Sequence, residues 1–149
     1  MVKHMNNNIT EDYVSFEVAK LLKEKGFAWL DHTLVAKDGK PAWSNPTGVP
    51  TSLDNGYNCY EENGVPIRPR KYTPTNTHYP RPTHNVTIKW IRENFNWNIE
   101  SGYRNSHKDY SSTIYPMFPN TQVHRTERFK TSEESVEAAL LYTLQNLIP

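Results

Sequence analysis

The 149-residue chain contains one cysteine, Cys59, so it can form neither an intrachain disulfide nor a zinc site built from several thiolates. No apolar run approaches the roughly 18 residues of a membrane-spanning helix, and the polar, asparagine-rich start has no apolar signal-peptide core. Charge of one sign is not in excess either, because 17 Lys and Arg face 16 Asp and Glu. This balance disfavours a protein that coats nucleic acid by bulk electrostatics, and the other two absences predict a cytoplasmic protein.

Sequence motifs for catalysis and cofactor binding are absent as well. The chain has no GxxxxGK[ST], GxGxxG or GxSxG pattern, which mark phosphate loops, dinucleotide sites and hydrolase elbows. Its histidines show neither the i, i+4 spacing nor the short Cys/His spacing of metal ligands. A lone thiol such as that of Cys59 is usually packed in the core. We therefore predict no catalytic residue, no cofactor and no metal site, and leave an enzymatic activity open.

Length and composition predict one folded domain with long polar loops. About 150 residues is the size of a single domain. The hydrophobic content of 36% is low, but 12% aromatic residues supply apolar mass that a disordered chain would not have. Residues 1–12 are expected to be disordered or a cloning remnant, since a His-Met pair near the start is typical of a vector scar. Residues 13–149 are expected to form the domain.

Three segments have the apolar periodicity of amphipathic helices. The first covers residues 15–25 and is followed by a glycine that can end it. The second begins after Thr83, which can serve as its N-cap. The third begins with a capping box of Thr131 and Glu134 and runs to about residue 147. Because these segments carry local signals at their ends, we expect three helices.

Short strands are predicted in the remaining regions, where the helical period disappears. Residues 37–40 contain the Asp-Gly pair of a tight turn, and Trp43 lies either in the strand that returns from it or in a loop. After the second helix, alternating and aromatic segments predict a β-hairpin. The predicted strands are residues 28–30, 33–36, 57–60, 97–100 and 110–118.

Residues 65–82 contain five prolines and are predicted to form an extended, basic, Pro-rich arm on the surface. Proline supplies no N–H for a central strand, so the arm is expected at an edge or over the surface of the domain. The predicted fold class is α+β: three helices packed on a small, mostly antiparallel sheet, with the long Pro-rich arm beside them.

The three helical segments carry a resemblance to known proteins. Residues 13–27 (YVSFEVAKLLKEKGF), 89–95 (KWIRENF) and 133–140 (EESVEAAL) resemble small uncharacterised proteins encoded by bacteriophages and prophages of gut Bacteroidetes. The matching positions are mostly core and cap positions. The resemblance therefore implies a phage context, with the host cell cytoplasm as the location, and no particular activity. It does not extend to the Pro-rich arm.

The leading functional prediction is a phage-type accessory protein that acts by binding a protein partner or itself. A polar, Pro-rich segment of this length is costly to leave loose in a compact domain unless something orders it. Trp43, which is followed by Ser-Asn-Pro, is the tryptophan expected to be an exposed contact residue, whereas Trp90 and Trp97 are expected in the core. The arm and the aromatic loops are therefore the expected contact surface.

The alternative is binding of nucleic acid or a nucleotide through the basic, aromatic residues 66–92. No acidic residue occurs between Glu62 and Glu93, whereas six basic residues do, with tyrosines among them. Cations that follow phosphates and rings that stack on bases are the requirements of a single-strand site. The residues expected to bind are Arg68, Arg70, Lys71, Tyr72, Tyr79, Arg81 and Arg92, with Trp43 as a further stacking or contact residue. Neither a membrane nor a metal is an expected partner.

Overall fold

The computed structural model describes residues 11–30, 48–54, 56–70, 77–118 and 122–149. The predicted strand at 33–36, the predicted turn at 37–40 and the candidate residues Trp43, Lys71 and Tyr72 lie outside these ranges. Within them, ordered contacts begin before Tyr13, because the carbonyl of Asp12 accepts a 2.7 Å hydrogen bond from the backbone N–H of His84.

The three predicted helices are present: α1 is Phe16–Glu24, α2 is His84–Phe95 and α3 is Ser132–Asn146. Each begins where a side-chain oxygen accepts a 3.2 Å hydrogen bond from the backbone N–H three residues ahead. The capping residues are Ser15, Thr83 and Thr131. Since a cap satisfies a donor that the helix itself leaves unpaired, these three residues fix where the helices start.

We expect Thr131→Ala to lower the free energy of unfolding by about 1 kcal/mol, the usual value of an N-cap oxygen. Thr131 accepts from the N–H of Glu134, and its hydroxyl donates to the carboxylate of the same residue at 2.9 Å. Equilibrium urea denaturation of Thr131→Ala and Thr131→Ser measures the effect. Serine keeps the hydroxyl, so a serine variant as unstable as the alanine variant would contradict this role of the cap.

The strands of the α+β fold are distributed over separate small sheets. One pair is parallel, β1 (Trp29–Leu30) with β2 (Val49–Pro50). A second, antiparallel sheet has three strands of two residues each. A third, also antiparallel, has three strands, two of which are eight residues long. The predicted class and the three helices are therefore confirmed, and the predicted single sheet is replaced among the described residues by two antiparallel sheets and a parallel pair.

Both ends of the Pro-rich arm belong to the second of these sheets. The strand β3 (Cys59–Tyr60) lies between β4 (Pro66–Ile67) and β5 (Tyr79–Pro80). The two strands that contain proline are the edge strands of this sheet. Proline has no N–H to donate, and at an edge strand that missing donor costs no hydrogen bond between strands. Pairing with β3 thus holds residues 66–67 and 79–80 against the domain.

The predicted hairpin forms the third sheet and is longer than expected. Strand β6 is Trp97–Arg104, β7 is Asp109–Pro116, and the short β8 (His124–Arg125) pairs with β7. Strand β7 ends two residues before the predicted end at residue 118.

The two faces of this sheet are different. The side chains of Ser101 and Ser112 bond Ser135 of α3 at 3.1 and 2.9 Å, so α3 covers their face. Side chains alternate along a strand, so their sequence neighbours, among them Gly102 and Ser111, point to the opposite face. We call this second face the outer face.

Candidate functional site

Arg81, a predicted nucleic-acid contact, is built into the packing of the domain. Its guanidinium carbon lies 4.1 Å from the ring centroid of Tyr13 and 5.4 Å from that of Tyr60. Its backbone N–H donates to the carbonyl of Asn58 at 2.8 Å. The Nε atom is buried and has no hydrogen-bond partner among the described residues. Two tyrosine rings therefore hold this cation by contacts of the cation-π kind.

Asp54 is a buried carboxyl group beside two of the predicted arginines. Its side chain is 4% exposed, and the backbone N–H of Thr83 hydrogen-bonds to it. Its Oδ2 atom is buried without a hydrogen-bond partner in the described part of the chain. Burial is the main reason that its pKa is raised to about 6, and the positive charges of Arg81 and Arg68 offset part of that rise. This acid and the two arginines form one electrostatic cluster.

The guanidinium group of Arg68 packs directly against Gly56. A Cβ atom at Gly56 would lie 2.9 Å from the Nη2 atom of Arg68, and the φ angle of Gly56 is +120°, a region that suits only glycine. Gly56 therefore permits both the backbone turn and the close approach of the guanidinium group. The side chain of Arg68 is nevertheless exposed to solvent.

The remaining predicted contacts are dispersed. The ring of Tyr79 packs edge-on against Phe16 with 5.3 Å between centroids, and the Nζ atom of Lys23 lies 4.6 Å from the Tyr79 centroid. Arg92, in the last turn of α2, donates to Asn98 at 3.2 Å. Arg70 is exposed. The structure therefore brings Arg68 and Arg81 together at Asp54, and it does not place the ring of Tyr79 where a base could stack on its face.

The start of α2 lies beside a second acidic group, Glu137 of α3. Its Oε1 atom accepts a 2.6 Å hydrogen bond from the backbone N–H of Ser15 and lies 3.2 Å from the Nε2 atom of His84. This carboxylate joins α3 to the N-termini of α1 and α2, where negative charge is favoured by the helix dipoles. No group of three or more His, Cys, Asp or Glu within the described ranges is placed to hold a metal ion.

Cys59 is fully buried in β3. Burial raises the pKa of its thiol to about 12, against the smaller lowering effects of Trp29 and Lys23. A thiolate is the reactive form of cysteine, and this group stays protonated at neutral pH. The geometry of Cys59 is that of a core residue, and it supplies no activated nucleophile.

Large apolar side chains are exposed at one end of the third sheet. Met117, Phe118 and Val123, between β7 and β8, are 54%, 45% and 49% exposed, and Tyr142 of α3 is 39% exposed. We call these four residues the apolar end surface. The backbone N–H of Met117 donates to the carbonyl oxygen of Asn96 at 2.7 Å. This bond fixes the start of the segment beside the residue that precedes β6.

A groove of about 330 Å³ lies between β8 and α3, next to the apolar end surface. Its walls include the apolar residues Ile114, Phe129, Ala138 and Tyr142. The hydroxyl of Tyr142 lies 3.2 Å from Nδ1 of His124, and the two rings are 5.3 Å apart. Tyr142 therefore serves both as a wall of the groove and as part of the exposed surface.

The sequence interpretation did not single out this surface, because residues 110–118 were predicted to be strand throughout. The available signal was the pair of prolines at positions 116 and 119. A strand that ends at the first proline leaves Met117 and Phe118 outside the ladder, and therefore without the packing that a sheet face provides.

Comparison of the chain with protein-family models, with curated proteins and with solved structures yields no match. None of the helices in the described ranges is long and apolar enough to span a membrane. Any assignment of function therefore depends on the sequence and on the geometry above.

Proposed function

We propose that this is a phage-type accessory protein of the host cytoplasm that binds another protein through the apolar end surface. The phage context is supported by the resemblance of the three helical segments. The binding function is supported by one observation above all: three large apolar side chains between β7 and β8 are each about half exposed, and Tyr142, also exposed, is a wall of an open groove between β8 and α3. Large apolar side chains that stay exposed near a groove are typical of interaction sites.

The occupant that fits this site is an extended segment of a partner protein. Strand β8 is the last strand in the order β6-β7-β8, and its hydrogen-bonded neighbour in the described part of the chain is β7 alone. An extended peptide can add to such an edge by backbone hydrogen bonds. Because alternate side chains of that peptide would point toward α3, an apolar residue among them would enter the groove beside Ala138 and Tyr142.

The Pro-rich arm is a weaker candidate for the partner surface. Its described ends pair with β3, so the domain already supplies the ordering for which the sequence suggested a partner. The nucleic-acid alternative at the arm retains the exposed Arg68 and Arg70, but Arg81 and Tyr79 are engaged in packing. A site that follows phosphates and also stacks bases is thus incomplete among the described arm residues.

Selection of random displayed peptides against the intact protein tests this proposal. We expect selected peptides to carry apolar residues at alternate positions, and Phe118→Ser and Val123→Ser to weaken their affinity by tenfold or more, about 1.4 kcal/mol. Val65→Ser is the matched control, because Val65 is 48% exposed but lies outside the apolar end surface, beside β4. Its affinity should equal that of the wild type.

Light scattering distinguishes a second copy of the chain from another protein as the occupant. A dimer that Phe118→Ser and Val123→Ser convert to a monomer would identify the partner as the same chain. A monomer whose selected peptides depend on these two residues would identify a different protein. A monomer whose peptides all tolerate both substitutions would overturn the proposal.

A further inference from the structure

A depression on the outer face of the third sheet is lined by three arginines. It has a volume of about 260 Å³, and it lies over Gly102, where the absence of a side chain leaves the sheet surface open. Its other polar walls are Arg104, Ser111, Thr113, Arg125 and Arg128. Of the described residues that line it, none carries a carboxyl group.

The strand register explains why these side chains meet. Gly102 pairs with Ser111, and Thr113 pairs with Arg125, so residues from β6, β7 and β8 lie in adjacent rows of one face. Arg104, two residues beyond Gly102, points to the same side because side chains alternate along a strand. Backbone pairing therefore places every lining residue named here except Arg128, which follows β8 and is held by its hydrogen bond to Asp109.

Two of the arginines are anchored and one is free to bind. Arg104 donates to both carboxylate oxygens of Asp109, at 3.1 and 2.7 Å, and Arg128 donates to the same carboxylate at 3.2 Å. Arg125 makes no ion pair within the described ranges. The same face also carries Glu100, which pairs with Thr113, so three positive charges face two carboxylates and leave a local excess of +1.

We infer that this depression binds the phosphate group of a nucleotide. Guanidinium forks and hydroxyl groups are donors that suit phosphate oxygens, and anchored arginines lose little entropy when they bind. The volume is several times the ~30 Å³ that a water molecule occupies in the liquid, so a phosphate has room together with part of the sugar that carries it. The hydroxyl groups of Ser111 and Thr113 lie on the same face and can hydrogen-bond the oxygens of that sugar.

Gly102→Val is the sharpest variant for a test of this inference. A Cβ atom at Gly102 would meet nothing nearer than the carbonyl oxygen of Ser111 at 3.9 Å, so the strand accommodates valine while the depression is filled. Valine also favours strand structure more than glycine does. The variant should therefore fold as well as the wild type, which urea denaturation verifies, and any loss of binding reports on the depression itself.

The experiment measures fluorescence anisotropy of a labelled short oligothymidylate with the full chain. We expect Gly102→Val and Arg125→Gln each to weaken binding by about tenfold, and Arg125→Gln to reduce the slope of log affinity against log salt by about 0.7, the value for one phosphate on a single strand. Arg70→Gln is the matched control, an exposed arginine of the arm, and it should bind as the wild type does.

Competition identifies the source of the phosphate. Displacement of the oligothymidylate by thymidine 5′-monophosphate would show that a free nucleotide also occupies the depression. Binding of the monophosphate alone, lost in Gly102→Val, would assign the site to free nucleotides. Three results would overturn the inference: no binding of either nucleotide form, displacement by inorganic phosphate as effective as by the monophosphate, or binding that Arg70→Gln abolishes and Gly102→Val leaves intact.

Discussion

Trp90→Ala should lower the free energy of unfolding by about 3–5 kcal/mol, several times the loss expected from removal of a helix cap. Trp90 is 3% exposed and lies edge-on to Phe27 and to Phe95, each with 5.2 Å between ring centroids. Alanine would leave a cavity that these rings cannot fill without losing their own contacts. Because a domain of this size is stable by roughly 5–15 kcal/mol, the loss is a large fraction of the total.

Equilibrium urea denaturation measures this loss, and Trp90→Phe is the control. Phenylalanine keeps an aromatic ring between the two neighbours, so we expect it to cost about half as much as alanine or less. Equal losses for the two variants would indicate that a group other than the packed ring is responsible. A loss below about 1 kcal/mol for Trp90→Ala would contradict the placement of Trp90 in the core.

The elements that sequence predicted well are those whose signals are local. The N-caps of α1, α2 and α3 lie within three residues of the N–H groups that they satisfy, so a short window of sequence contains both partners. The hairpin of β6 and β7 is local in the same sense, because four residues separate its strands. Burial of Trp90 and Trp97 followed from their positions in these elements and is confirmed.

The environment of the arm residues depends on residues that are distant in the sequence. Arg81 lies between rings that come from positions 13 and 60, and the charges that act on Asp54 come from positions 11, 68 and 81. A basic, aromatic segment is compatible with a free binding surface or with packing onto its own domain. The choice depends on these distant partners, and two-residue strands such as β3, β4 and β5 carry too little pattern to predict which strands pair.

Neither of the two proposed binding surfaces could be predicted from the sequence, for a related reason. The arginines of the outer-face depression are brought together by the sheet, and they converge only when the register of β6, β7 and β8 is known. In the sequence they are spread over residues 104–128 and interrupted by Asp109 and Glu127, so no long run without acidic residues marks them. The pattern of charge along the chain pointed to the arm as a phosphate-binding site. The positions of the arginines in the folded domain point to the outer face of the third sheet instead.

Asp54→Asn should change the pH dependence of stability, by about 2 kcal/mol between pH 4 and pH 7. The pKa of Asp54 is raised to about 6 in the folded protein, chiefly by burial, against about 3.9 in an unfolded chain. The folded state therefore binds more protons than the unfolded state between these two values. Stability contributed by this proton is fully present below about pH 4 and is lost as the pH rises through about 6.

The amide of asparagine does not ionise, and its oxygen can still accept the hydrogen bond that the Thr83 backbone N–H makes to the carboxyl group. The difference in unfolding free energy, Asp54→Asn minus wild type, should therefore increase from pH 4 to pH 7 and then level off. Urea denaturation at a series of pH values measures this difference, in which the titration of distant groups cancels.

Asp109→Asn is a control of opposite sign. The pKa of Asp109 is lowered, first by its hydrogen bond from Arg104, so its ionised form stabilises the folded state. That contribution is present above the unfolded pKa and is lost as the pH falls. The Asp109→Asn difference should thus become less favourable as the pH rises toward about 4 and stay nearly flat above it, whereas the Asp54→Asn difference becomes more favourable between about pH 4 and pH 7. Parallel behaviour of the two variants, or a flat profile for Asp54→Asn, would show that burial does not hold the Asp54 carboxyl in its protonated form.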